Sequence, residues 1–319
     1  MITLSASTVF AYLLFPGGFF AVLFGLLLLS MERIAVARFQ GRVGPPIYQN
    51  ICDIIKLKGK EVLIPEDVSN KLMFTFAPVF GFVGMMTAVF ILPVSGVYGG
   101  TGASSDLIVL IYLMAFPAVS HIMGGSASAS TYAAISVSRE MILMFAYEIS
   151  FIIILLTVAL EAGGADGVLF SLKGIVDYQV LHGSFITDLK MIPAFLAFVI
   201  FMLATLEVPP FHIAENDGDV MKGYLMEYSG MPLALLEITH ALKLVVLITV
   251  LQVFFMPGVA GAGIIVNLLW FIGKSATIVG CIAFIHASMP SFRVDQAFKF
   301  LMIVPILLSL MSLGMILFL

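Results

Sequence analysis

Glu140 and Glu148 stand eight positions apart in an otherwise apolar stretch, and Glu237, His240 and Lys243 recur at every third position in another. On a helix, eight residues separate the two acids by about 12 Å and turn them about 80° apart, so both can face one groove. The second set forms a stripe covering roughly 120° of a helix surface. Ionisable side chains at membrane depth cost about 2.5–3.5 kcal/mol each on insertion scales, so they usually face a bundle interior and mark ion or proton paths. Carboxylates coupled to nearby bases and to water can take up and release protons as a chain whose state responds to charge at one end. The competing reading of Glu237, His240 and Lys243 is a structural ion pair between two helices. Glu161 closes the outer end of the Glu140–Glu148 stretch, and Lys274 is alone in its own stretch, where pairing with a neighbouring helix is an equal alternative.

Two polar connections flank these stretches. One, from Glu207 to Glu227, holds Glu207, Glu215, Asp217, Asp219 and Glu227 against the single base Lys222, which reads either as a solvated acidic loop or as the mouth of the acid chain. In the other, Gly44, Pro45 and Pro46 break the chain, after which Ile47, Ile51, Ile54 and Ile55 fall at helical spacing opposite Gln49, Asn50, Asp53 and Lys56. That pattern predicts a short amphipathic helix in the interface, with Lys56, Lys58 and Lys60 toward headgroups or a partner. His121 and His286 near span ends read as wet interfacial residues, and His182 as part of an outer loop. No metal site is expected, since no His, Cys or acid repeats at ligand spacing. Nucleophilic triads and phosphate loops are absent too; Gly124-Gly125 lacks a following Lys.

The elements that must position these groups follow from composition. Of 319 residues 61% are apolar and 11% charged, with 15 basic and 19 acidic side chains. A soluble domain carries about 25% charge, and a chain this apolar cannot hide its surface from water, so its solvent is lipid. That excludes a soluble enzyme, a disordered chain and a secreted disulfide scaffold; Cys52 and Cys281 are too few and too distant for a cluster. A net charge of -4 gives no reason to expect nucleic acid as a partner. Spans need about 20 mostly apolar residues. They fall at Val9–Met31, Leu72–Val94, Leu107–Gly124, Met141–Leu160, Leu189–Leu206, Leu233–Phe255, Ile264–Ala287 and Phe300–Leu319. No Lys or Arg precedes the first, as a secretory signal would require. Arg33, Arg38, Arg42, Lys56, Lys58, Lys60, Lys71, Arg139, Lys222, Arg293 and Lys299 gather on one side, against Lys173 and Lys190 on the other. The basic side is cytoplasmic by the positive-inside rule, which puts connections 32–71 and 207–232 inside and both termini outside. The expected fold is an all-α polytopic protein of about eight transmembrane helices plus a cytoplasmic amphipathic helix, one membrane domain over residues 1–319, multi-pass in the cell membrane.

With these connections the sequence resembles the membrane subunit 1 family of respiratory complex I, which joins the two arms of that complex, and most of all the corresponding subunit of membrane-bound group 4 [NiFe] hydrogenases. The resemblance rests on Arg42-Val43-Gly44-Pro45 followed by Gln49, Asp53, Lys56, Leu57, Lys60 and Glu61. It rests equally on Glu207-Val208-Pro209-Pro210-Phe211, the acids at 215, 217 and 219, Gly223-Tyr224 and Glu227-Tyr228-Ser229-Gly230. Asp217 and Asp219 replace family Glu residues, and His212 stands where the family usually has Asp, an acid exchanged for an imidazole that can be neutral or cationic. The resemblance implies a place beneath a peripheral arm of hydrogenase-like large and small subunits, beside other membrane subunits including antiporter-like ones. It implies an arm interface at Arg33, Arg38, Arg42, Asp53, Lys56, Lys60, Glu61 and His212. It implies a proton or ion relay through Glu207, Glu215, Asp217, Asp219 and Glu227 to Glu140, Glu148, Glu237, His240 and Lys243. The chain itself is then expected to bind no cofactor; iron–sulfur clusters and a NiFe centre belong to partners. On this reading a low-potential donor such as ferredoxin drives proton reduction to hydrogen, and the charge change moves protons in the acid chain. A quinone- or sulfur-reducing complex of the same fold, a stand-alone cation transporter and a passive anchor are the alternatives.

Overall fold

The computed structural model describes residues 17–94, 96–100, 106–164, 167–214, 222–259 and 263–318. Glu215, Asp217 and Asp219 lie outside them, as does the beginning of the first expected span. Among the described residues the architecture is helical. Seven helices among the described residues are long and apolar enough to cross a membrane: α1 Gly18–Phe39, α3 Lys71–Ile91, α4 Asp106–Ala127, α5 Thr131–Gly163, α8 Gly230–Phe255, α9 Ile264–Ser288 and α10 Val294–Phe318. The expected fifth span is a shorter apolar stretch, a 3-10 turn at Leu189–Met191 leading into α7, Ile192–Thr205. The amphipathic pattern after Pro46 forms α2, Gln49–Lys58, and the acidic connection holds a 3-10 turn, Gly223–Glu227.

Several boundaries move. α5 begins ten residues before the expected span and runs for 33 residues, so Glu140 sits in its third turn rather than at its start. Its polar first turns escape a hydropathy window because they are covered by protein: Ser136 and Glu140 are buried. The connection between α5 and α7 holds a helix that apolar periodicity did not reveal, α6 at Leu172–His182, whose Ser171 hydroxyl accepts from the Gly174 N–H as an N-cap. His182 ends this helix instead of lying in a loop, its ring stacked on Tyr178 at 4.3 Å.

α8 is the central pillar. Its apolar window is 89% buried, against 28% for α9 and 22% for α10, as expected of a helix hydrophobic all round at the centre of a bundle with lipid-facing helices outside it. α8 packs on α1, α3 and α2; α9 leans on α1, and α10 spans α5 and α7. Lipid tails are as apolar as Leu, so helix association depends on close fit and internal hydrogen bonds. Gly25 of α1 shows the fit: a Cβ there would stand 2.7 Å from the Ala241 carbonyl of α8. Ser120 of α4 shows the bond, donating to the Ala77 carbonyl of α3 at 2.6 Å.

Proline supplies a further link. Pro78 inside α3 has no N–H, which frees the Phe74 carbonyl of its helical partner. The Tyr228 hydroxyl donates to that carbonyl at 2.9 Å, and its ring stacks on Phe74 at 4.2 Å. Tyr228 thereby ties the acidic connection to α3.

Candidate functional site: an open vestibule and a buried charge nest

The segment after α7 carries the site's central acid. α7 ends at Thr205, and Glu207 adopts φ +56°, a left-handed conformation that costs a non-glycine residue on the order of 1–3 kcal/mol. The residues beyond Glu207 hold the turn in place. The Phe292 N–H donates to the Pro210 carbonyl at 2.8 Å, and the Phe211 ring meets Phe292 and Phe300 at 5.9 Å each. Further on, Ser136 and Arg139 of α5 donate to the Ala214 and Ile213 carbonyls at 2.7 and 3.3 Å. The Glu207 side chain is thus aimed inward by a segment fixed at both ends.

Four ionisable groups meet there. The Lys243 ammonium on α8 donates to Glu207 Oε1 at 3.0 Å, with both side chains almost fully buried. His121 Nδ1 on α4 lies 3.9 Å from the same oxygen. Ligating atoms of His121, Glu140 and Glu207 all fall within 4.8 Å of one another. Burial raises the Glu207 carboxyl, but Lys243, with His121 and His240 adding to it, holds it below the ordinary carboxylate range. The imidazole of His121 stacks on Tyr224 at 4.4 Å, in the 3-10 turn of the acidic connection. Close approach of that connection to α4 depends on Gly124, where a Cβ would stand 2.3 Å from the Tyr228 hydroxyl. The Gly124-Gly125 pair that fits no phosphate loop is therefore a packing surface.

Glu207 also borders a cavity of about 810 Å³ between α1, α2, α8 and the Glu207 segment. Glu32, Arg33, Asp53, His212, Glu237, His240 and His286 line it. His286 Nδ1 lies 3.2 Å from Glu32 Oε1, and His212 Nδ1 is 2.9 Å from the Glu207 carbonyl. Arg33 donates to Asn50 at 2.6 Å, which pins α2 against α1. The amphipathic helix thus forms a wall of the cavity rather than only resting in the interface.

The expected relay divides accordingly. Glu140, Glu207 and Lys243 are brought together in the nest; Glu237 and His240 face the cavity, two turns and one turn along α8 from Lys243. Glu148 is half-buried two turns beyond Glu140, about 12 Å along α5, and Glu227 is half-buried at the end of its 3-10 turn. Of the arm-facing residues, Arg33, Arg42, Asp53 and His212 line the cavity. Arg38, Lys56, Lys60 and Glu61 are not among its lining residues; Lys56 pairs with Asp53 at 3.6 Å, and Arg42 bonds Gln40. The Glu61 carbonyl accepts from Ser229 at 3.3 Å.

One expectation needs correction. His121 is not a wet interfacial residue but 6% exposed at the heart of the nest, because α4 continues to Ala127 and carries it into the bundle. His286, in the last turn of α9, differs from it in being 34% exposed on the wall of the open cavity, where a wet interfacial residue is still an apt description. Of the two readings of Lys274, the structure shows the pairing with a neighbouring helix: it donates to the Met256 and Pro257 carbonyls at 2.6 and 3.1 Å, capping the end of α8. Glu32, which reads in the sequence as the first charge after a span, lies within α1 and is 8% exposed. A charge seven residues before a helix's end is a readable signal; the meeting of His121, Glu140 and Glu207 from three distant segments is not.

A family model described as NADH dehydrogenase matches residues 12–317. Similar curated proteins are the H subunit of NADH-quinone oxidoreductase from Neorickettsia sennetsu, 29% identical over 84% of each chain, and that from Ehrlichia ruminantium, 30% identical over 85% of this chain and 79% of the relative. Among solved structures, a chain of the membrane-bound sulfane sulfur reductase, an archaeal respiratory membrane complex, superposes with a TM-score of 0.84 at 25% identity, covering 93% of this chain and 96% of that one. The family model covers nearly the whole chain and the helical bundle matches that of the solved relative, so the chain belongs to the NADH dehydrogenase family of membrane subunits that includes the H subunit of NADH-quinone oxidoreductase.

Proposed function

We propose that this subunit couples a redox reaction in a peripheral arm to ion translocation, with its basic end cytoplasmic and its termini outside. The arm sits over the 810 Å³ cavity, against Arg33, Arg38, Arg42, Asp53, Lys56, Lys60, Glu61 and His212. Charge developing above the cavity perturbs Glu237 and His240 on its wall, then Glu207, and through the nest Glu140 and Glu148. From there the relay passes to neighbouring antiporter-like subunits. The chain carries no redox centre of its own; it is the element whose protonation has two states, biased by the reaction above it. The observation that carries this reading is Glu207, one side chain shared by the open cavity and the buried nest.

The finer proposal is a complex of the group 4 hydrogenase type, in which partner subunits with iron–sulfur clusters and a NiFe centre take electrons from ferredoxin and reduce protons. A quinone site is expected to be mainly apolar with a few placed polar groups. This cavity has an apolar side, with Leu26, Leu29, Val36, Ile54, Leu57, Leu206 and Val208, but also carries Glu32, Arg33, Asp53, His212, Glu237, His240 and His286, more ionisable groups than a quinone headgroup needs and enough to hold water and protons. A second reading, sulfur reduction, is favoured by the structural likeness to the sulfane sulfur reductase. Membranes holding the native complex and supplied with reduced ferredoxin separate the readings. Hydrogen evolution supports the first, sulfide formation the second, and quinol formation contradicts both. In either case Glu237→Gln is expected to preserve assembly and to remove ion pumping; full pumping by that variant contradicts the relay.

A further inference from the structure

We infer that His121, Glu140 and Glu207 form a binding site for one transition-metal dication, with Zn2+ as its simplest occupant. One imidazole and two carboxylates are a donor set that zinc takes readily, leaving a fourth position for water. Ligating atoms from α4, α5 and the Glu207 segment lie within 4.8 Å of one another. In a tetrahedral zinc site with bonds of about 2.0–2.2 Å, ligand atoms stand about 3.4 Å apart, so binding draws these atoms together by no more than about 1.4 Å. A second observation points inward as well. His121 Nδ1 and Glu207 Oε2 have no hydrogen-bond partner among the described residues, although the two side chains are only 7% and 4% exposed. Buried polar atoms are normally satisfied, so two unsatisfied ones on adjoining side chains mark a place where a ligand improves the structure.

The cavity gives the ion a route, since Glu207 lies on its wall. The opposing group is Lys243, whose ammonium is 3.0 Å from Glu207 Oε1 and already supplies one positive charge to the two carboxylates. A dication must displace that ammonium or its proton. Metal and Lys243 therefore compete for Glu207, which gives the site a signature that a merely structural cluster lacks. Removing an imidazole ligand weakens binding, whereas removing the charge of Lys243 strengthens it.

The site rests on this geometry alone and holds whether or not the nest conducts protons. The test is equilibrium dialysis of the purified, intact complex against Zn2+, with bound metal counted for the wild type, His121→Asn and Lys243→Gln, and assembly checked by gel filtration. Expected are one zinc per complex lost or held at least tenfold more weakly in His121→Asn, and the same zinc held at least tenfold more tightly in Lys243→Gln. Equal uptake by all three overturns the site. Should a variant fail to assemble, zinc-edge absorption fine structure of the wild-type complex at one equivalent decides: a shell of one imidazole and two carboxylates supports the site, and a shell without imidazole overturns it. Zinc bound without any loss of pumping would contradict proton passage through the nest and leave the metal site standing.

Discussion

Glu207 bears more of the account than any other residue, and its chemistry makes two predictions. Breaking a buried ion pair from one side costs about 3–5 kcal/mol when the other charge is left uncompensated, and less here, where Glu140 remains in the nest. Glu207→Gln is therefore expected to lower the thermal stability of the complex by several degrees, and adding Lys243→Gln to recover part of the loss. An unchanged melting profile in Glu207→Gln would mean that the 3.0 Å contact contributes nothing. The pH dependence follows from the direction of the Glu207 shift. Lys243 holds the carboxyl below its unfolded value of about 4.3, so the contribution is complete above that pH and disappears only as pH falls toward the lower folded value. The stability gap between wild type and Glu207→Gln is expected to be the same at pH 8 and pH 6, closing only below about pH 4. A gap that closes between pH 7 and pH 5 contradicts the assignment. At this scale sequence spacing marks Glu140, Glu207 and Lys243 as unusual charges but not as neighbours, because α5, the Glu207 turn and α8 are far apart along the chain. His121 escapes sequence reading for a related reason: a helix end set a few residues early turns a buried imidazole into a wet one.

Elements are joined here by backbone groups that proline sets free. Tyr228→Phe keeps the ring stacked on Phe74 but leaves the Phe74 carbonyl unsatisfied, which is expected to cost about 1–3 kcal/mol. Pro78→Ala restores an N–H to that carbonyl, so the double variant is expected to recover most of the stability lost by Tyr228→Phe. Thermal unfolding of the two variants measures this, and no recovery would show that the hydroxyl acts elsewhere. Lys274 belongs to the same class. Its two bonds to the carbonyls at the end of α8 make Lys274→Met a stability variant, losing about 0.3–2 kcal/mol with pumping unchanged. Loss of pumping without loss of stability would instead give Lys274 a part in ion movement. The seven long helices and α2 are legible in the sequence because apolar runs and a 3.6-residue period follow directly from burial. α6 and the first turns of α5 are not, since protein rather than lipid covers their polar faces, and hydropathy does not distinguish a polar group facing water from one facing a partner.

For the whole molecule, scarcity of charge is the organising fact: with 11% charged residues in a lipid-solvated chain, the acids that remain concentrate where the bundle opens and where it closes. The two loop motifs point to the family, and the geometry adds how its parts connect, an open vestibule joined to a buried nest through Glu207. The most direct test of that connection is Glu140→Gln in the complex reconstituted into liposomes, with electron transfer and ion uptake recorded together. Continued electron transfer without an ion gradient is the predicted result; a full gradient at the wild-type ratio of ions to electrons would contradict the account.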